Sequence, residues 1–486
     1  MKNFKYILII VFYLPLISCD SVLDKHPYNQ LSPFTFWKSE DDALKGLTAC
    51  YGRLNTNTFG AVSTSGSFIH WDALSDNMYA NNYLGLPDIS NGVIQSTSGG
   101  FVSNVWNDSY RGINTVNIFL DNVDNCEMNE DVKNRYKAEA LFLRAYWYMH
   151  LVMCYGDVPK RVDAPTVDDI LMARSPASEI WEQILADIDY AIEKLPDEKY
   201  NGHVVKGSAL ALKTKVLLFN ERWEAAAATA KQVIDSKKFA LHPDYLGIFI
   251  RDGQNDNNEI MFSVKYLAPD MWHGIDLSLG SWGACAPIRQ FVDFYEKLDG
   301  WNEETPYENR DPRFALSVFY PGSPWAYDKE NGFTPSKMNN NNTGLGLKKY
   351  IHTEIDDAGY TTESDQDFVH LRYADVLLMY AEAMYNSGRG NDPSVLSAIN
   401  DIRNRVGMYP VTAVTEDVIR YERRVELAFE GHRYYDLKRW KIAHIVIPKI
   451  ENSNGQYRQF EEKHYLWPIP QAEIDINTLL KQTPGY

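Results

Sequence analysis

Cysteine is scarce in this sequence, with five in 486 residues, and no apolar run after the first sixteen residues is long enough to span a bilayer. A helix crossing a membrane needs about 20 apolar residues, so no later segment is expected to cross. After Cys19 only Cys50, Cys126, Cys154 and Cys285 remain, four in so long a chain and no disulfide framework, and Cys154 falls in an apolar helical pattern where a buried thiol is expected. Positive charge is also short. The 48 Lys and Arg face 65 Asp and Glu, a net −17 that argues against nucleic acid or an anionic bilayer as ligand and favours neutral or cationic partners. Signatures of catalysis are missing: there is no HExxH, CxxC, P-loop or nucleophile-elbow pattern, and Gly344-Leu345-Gly346 is too short to cradle a phosphate. Carboxylate pairs for glycoside hydrolysis arise by chance among so many acidic residues, and nothing selects one. A non-enzymatic protein is expected. The run Asp252 to Glu259 has hard oxygen ligands without the alternation of an EF-hand loop. It reads as a solvated turn, with structural calcium as the alternative, and no other cofactor is expected.

What is present begins at the N-terminus. Lys2 and Lys5, an apolar run from Tyr6 to Leu16, and Leu16-Ile17-Ser18-Cys19 form the pattern of a bacterial lipoprotein signal. The run is too short to span, and Pro15 weakens it further. Cleavage before Cys19 makes that residue the lipidated N-terminus, held by about 0.8 kcal/mol for each buried methylene. The expected organisation is a signal over 1–18, a lipid-anchored tether over 19–37, and one domain over 38–486. Within that domain a helical scaffold covers 40–236 and 371–440, and a loop-rich region covers 239–370.

Helical periodicity is clearest where Tyr136, Ala140, Leu143, Trp147 and Leu151 recur before Gly156. Ser178 to Leu195, with Ser178 as N-cap, is read as its partner. Lys206 to Phe219 and Arg222 to Ser236 form a tight hairpin with small residues at the crossing. In a later one, Leu371, Ala374, Leu378, Ala381 and Tyr385 mark the first helix, and Asp392-Pro393 opens the second. Four hairpins, eight helices over 40–123, 131–195, 206–236 and 371–406, follow the tetratricopeptide plan with long insertions. The fold class is mainly α with a few short strands, such as Ile260 to Tyr266 and Phe314 to Phe319.

Aromatic residues are abundant, at 13% with 31 Tyr and 12 Trp. A sugar ring stacks its C–H patch on an aromatic face while Asn, Asp, Gln or Arg replaces water at its hydroxyls. Loop stretches offering both give the candidate ligand-binding residues Asn82, Tyr83, Trp272, Trp282, Trp325 and Tyr327. For each tryptophan the alternative role is to anchor its loop in the core.

Several blocks together resemble the SusD/RagB family of Bacteroidetes outer-membrane nutrient-binding lipoproteins. They are Ala138 to Tyr146 running on to Tyr155-Gly156-Asp157-Val158-Pro159, Arg372 to Ala383, Glu422 to Leu437, and Tyr465 to Pro470 with the ending Pro484-Gly485-Tyr486. The resemblance implies a SusD-like fold, anchoring in the outer membrane facing the cell exterior, and a SusC-like TonB-dependent transporter over which the protein sits as a lid. It also implies delivery of oligosaccharide or polysaccharide. Oligopeptide capture, or a structural lid with little affinity of its own, are the alternatives. Within Glu422 to Arg439, the cluster Glu426, Glu430, His432 and Asp436 invites a catalytic reading. Ion pairing along and between helices, Arg423 with Glu426 included, explains it without chemistry.

Overall fold

A computed structural model describes residues 36–61, 68–80, 85–166, 171–338, 342–355, 358–452 and 455–486. Eight helices follow one another as packed neighbours: α1 (Glu40–Gly52), α2 (Gly100–Asn122), α3 (Glu130–Tyr155), α4 (Ala177–Lys194), α5 (Lys206–Phe219), α6 (Trp223–Ser236), α7 (Tyr373–Met384) and α8 (Pro393–Arg405). Each packs on the next, α6 on α7 included, so the helical succession continues across the insertion 237–372. The expected four hairpins are therefore one continuous array.

The central helix α3 is buried along most of its length. It approaches α2 closely because Gly112 has no side chain: a Cβ there would lie 2.4 Å from the Trp147 ring. Charge inside this helix is matched. Arg144 forks onto Asp187 of α4 at 2.8 and 2.7 Å and donates to Asn117 of α2, tying three helices together.

Two helix ends differ from expectation. Ser178 is no N-cap; α4 begins at Ala177, whose N–H donates to Asp157 Oδ1 from the preceding loop. Leu371 belongs to a strand, because α7 starts only at Tyr373. Asp392 does cap α8, accepting from the Ser394 N–H.

The strands form three antiparallel pairs: β1 (Met78–Ala80) with β3 (Cys285–Pro287), β2 (Ile260–Val264) with β6 (Phe368–Arg372), and β4 (Val318–Phe319) with β5 (Gly346–Leu347). Of the strand expected over Phe314 to Phe319, residues 314–317 are helical, within Arg313–Ser317, and Val318–Phe319 are strand. The four described cysteines, Cys50, Cys126, Cys154 and Cys285, are all buried free thiols. Trp37, the last residue of the expected tether, packs on Phe119 of α2, with ring centroids 6.0 Å apart. Cys19 lies outside the described residues.

Behind the array, α9 (Glu416–Glu426) and α10 (Arg433–Arg439) carry a dry network of ion pairs. Arg372 holds Glu430 at 2.6 Å, and Glu259 and Glu426 each at 2.7 Å. Arg313 joins Asp311 and Glu422 at 2.6 and 2.7 Å, and Arg423 holds Asp375 and Asp436. Asp76 receives Arg424 and Arg433, each at 2.8 Å. Arg423 thus turns to Asp375 and Asp436 rather than to Glu426 along its own helix. Pairing between distant segments is what the motif encodes. Glu426, Glu430, His432 and Asp436 are all buried, and the cavity that Glu430, His432 and Asp436 help line holds only about 30 Å³. Burial pushes the Glu426 carboxyl upward, but Arg405, Arg372 and Arg313 outweigh it and hold it well below the usual range.

The Asp252 to Glu259 run is less solvated than expected. Gln254, Asn257 and Glu259 are buried, and Glu259 is committed to Arg372 and Arg405. Among the described residues no group of three or more His, Cys, Asp and Glu side chains could hold a metal ion, and no helix is long and apolar enough to cross a membrane.

Candidate functional site

The irregular region between β2 and β6 builds a rim of aromatic side chains on a polar base. The base is Asp276, a buried carboxylate that accepts from Ser364 Oγ at 2.7 Å and Gln366 Nε2 at 3.3 Å and meets His352 Nδ1 at 3.0 Å. Burial raises that carboxyl, yet the bonds and charge from His352 and the Ser364 hydroxyl prevail and lower it. The ion pair in turn raises His352 against its own burial. Two further bonds, His273 N–H to the Ser364 carbonyl at 2.8 Å and Ser364 N–H to the His273 carbonyl at 3.0 Å, staple the 267–273 segment to the 364–366 segment.

From this base a π-helical turn, Asp276–Ser281, lifts Trp282 to the rim. The half-buried Trp282 meets Tyr360 with centroids 5.4 Å apart and planes at 68°. Tyr360 is 76% exposed, so the two rings form an open corner. Beneath the turn lies Tyr327, whose hydroxyl sits 3.6 Å from where a Cβ on Gly280 would be. Trp325 lies deeper, 5% exposed and packed between Tyr327 and Phe333, with centroids at 5.0 and 5.1 Å. Of the two roles weighed for Trp325, its geometry is that of a loop anchor.

Trp272 occupies a separate crest. Leu267 and Met271 exchange backbone hydrogen bonds of 2.8 and 2.9 Å and close a hairpin from which Trp272 emerges, 37% exposed. Asn82 and Tyr83 lie outside the described residues. The strand before them, β1, pairs with the strand after Trp282, so that Ala80 opposes Cys285. The fold thus brings Trp282, Tyr327 and Trp325 into one layered cluster and places Trp272 on a neighbouring ridge.

Tyr360 was missed by the sequence reading. It stands as a lone aromatic in Gly359-Tyr360-Thr361-Thr362, the same aromatic-in-polar-loop signal that pointed to the tryptophans. The corner offers an aromatic, apolar face for stacking.

Comparison with known proteins gives the same architecture. A profile described as the SusD family matches residues 251–486, and one described as starch-binding associating with outer membrane matches 22–218. SusD-like protein P2 of Formosa agariphila is 28% identical over the full length of both chains. Among solved structures, a SusD-like carbohydrate-binding protein from Bacteroides fragilis superposes with a TM-score of 0.83 at 26% identity, covering 92% of this chain and 100% of that one. A laminarin-binding SusD-like protein superposes at 0.78 with 25% identity, covering 93% of this chain and 100% of that one. With the fold reproduced along nearly its whole length and both halves matched by related profiles, this chain belongs to the SusD/RagB family.

Proposed function

We propose that the protein is a non-enzymatic surface lipoprotein that captures oligosaccharide or polysaccharide and passes it to a SusC-like TonB-dependent transporter. The observation that carries this reading is the Trp282–Tyr360 corner, a half-buried indole beside a largely exposed tyrosine ring on a braced loop. A tryptophan held this way gains little for the fold and much for a ligand with a flat C–H face. Relatives described as carbohydrate-binding and laminarin-binding support the same class of ligand. The lipoprotein pattern ending at Cys19 supports anchoring in the outer membrane, with the ligand face toward the exterior. The family supports the transporter as partner.

Isothermal titration against laminarin, starch, xylan and mannan, each as polymer, hexasaccharide and disaccharide, tests the reading. Binding to at least one series, reduced by Trp282→Ala, is the expected result. Absence of binding to all four, with binding of oligopeptides instead, overturns it. Replacing Cys19 with alanine should leave soluble-domain binding intact and abolish uptake by cells.

A further inference from the structure

Beyond the 267–272 hairpin from the aromatic corner lies a second concavity. It has two lobes of about 260 and 530 Å³ that share Gly202, His203 and Lys265. Its volume is in the range of small-molecule sites. The walls come from five places in the chain: the end of α1, the turn before α5, the stretch 254–255 before β2, the end of β2 with the hairpin after it, and the segment leading into β6.

The polar groups in this cleft are held in place. Glu139, buried beneath α1, meets His203 Nδ1 at 2.8 Å and accepts from the Tyr51 hydroxyl at 2.8 Å. This fixes the imidazole's orientation while about half of the side chain stays exposed. Lys265 is fixed by Asp367 at 2.5 Å, with its side chain 47% exposed. An ammonium has three donors, so it can serve a ligand as well as its carboxylate. Both basic groups have a carboxylate in contact and Asp365 adds another to the lining, which leaves hydrogen-bonding capacity with no unpaired cation to hold an anionic ligand. Asn201 and Asn255 add exposed amides on either side, and Met271 and Leu267, 41% and 62% exposed, add an apolar lip. Braced donors and acceptors beside an apolar lip match a neutral, hydroxyl-rich molecule.

The cleft and the corner are close. Asp365 lines the cleft and is five residues from Tyr360, so their Cα atoms lie within about 18 Å even if that segment is fully extended. Met271, on the cleft's lip, is bonded in sequence to Trp272 on the crest.

We propose that this cleft is a second carbohydrate-binding site, taking the continuation of a glycan held at Trp282 and Tyr360, so that the protein favours long chains over short ones. The inference rests on the glycan-capture reading above, and its test separates the two. Two variants alter only exposed cleft positions: Asn255→Ala with Met271→Ala, and Thr48→Arg, which projects from α1 into the cleft. Titrations use the same four glycan series. For the series that binds, both variants should weaken the hexasaccharide and the polymer by about tenfold and leave the disaccharide and the melting temperature unchanged. Trp282→Ala should weaken all lengths. If Trp282→Ala lowers affinity while both cleft variants bind the hexasaccharide like the parent, or if they weaken the disaccharide equally, the second site is refuted and the first stands. If none of the four series binds the parent protein, both readings fall.

Discussion

Around Arg372, charges are packed against partners at hydrogen-bond distance and shut away from water. Around Trp282, rings meet at an open corner and one of them is three-quarters exposed. Both regions draw on segments far apart in the chain, but they put their side chains to opposite uses. An ion pair out of water demands well-oriented partners, and losing one leaves the others uncompensated. An aromatic face at the surface makes few such demands and can be exchanged without disturbing what lies below. The knot therefore constrains the fold, whereas the corner is where ligand preference can change.

The sharpest way to break this contrast is to remove one charge from the knot. Glu426→Ala takes one shared carboxylate from Arg372, Arg405 and Arg313, leaving three buried cations with fewer anions around them, and should cost about 3–5 kcal/mol, read as a lowered urea midpoint or failure to accumulate folded protein. A loss below about 1 kcal/mol would mean that the knot is no more binding than a surface pair. Trp325→Ala tests which side of the contrast that residue belongs to. As a loop anchor it should cost about 3 kcal/mol in stability, and a variant that keeps its stability yet loses glycan would move Trp325 to the rim.

Acid probes the dry interior as a whole. Burial pushes His370 down to about 3 and His273 down to about 4, whereas both sit near 6.5 in an unfolded chain. The unfolded state therefore binds more protons between about pH 6.5 and 4, and stability falls as pH drops through that window. From pH 6.5 to 5.5 the two rings should remove about 2–3 kcal/mol, read in thermal melts, and an unchanged melting temperature would show them already charged in the fold. The smallest effect on the fold is expected at the rim. Trp282→Ala should change stability by less than about 1 kcal/mol while lowering glycan affinity about tenfold or more. A large loss of stability there would erase the distinction between the two regions.

Helices such as Lys206–Phe219 were legible because a tight turn between two runs with small residues at the crossing is a local pattern. Ser178 misled because a cap can be supplied from outside the helix, and Asp157 supplies it. The knot's charged residues were visible as a dense motif. Their partners were not: Asp76, Glu259 and Asp311 lie far away in sequence, and tertiary topology alone chooses among 65 acidic residues. The aromatic loops were legible as a class, but the exposure of each ring was not. Trp325 and Trp282 share the same kind of polar neighbourhood in sequence, and what separates them is whether Phe333 folds over one and Tyr360 stands open beside the other.

Trp37 carries a further consequence. Because its ring is wedged against Phe119, Trp37 fixes to the folded body a point eighteen residues after the proposed anchor at Cys19. Eighteen residue steps can extend no farther than about 60 Å. The wedge is thus the knot in a leash: it fixes how far from the bilayer the whole body can rise, and loosening it by Trp37→Ala would lengthen that excursion without touching a single ligand contact.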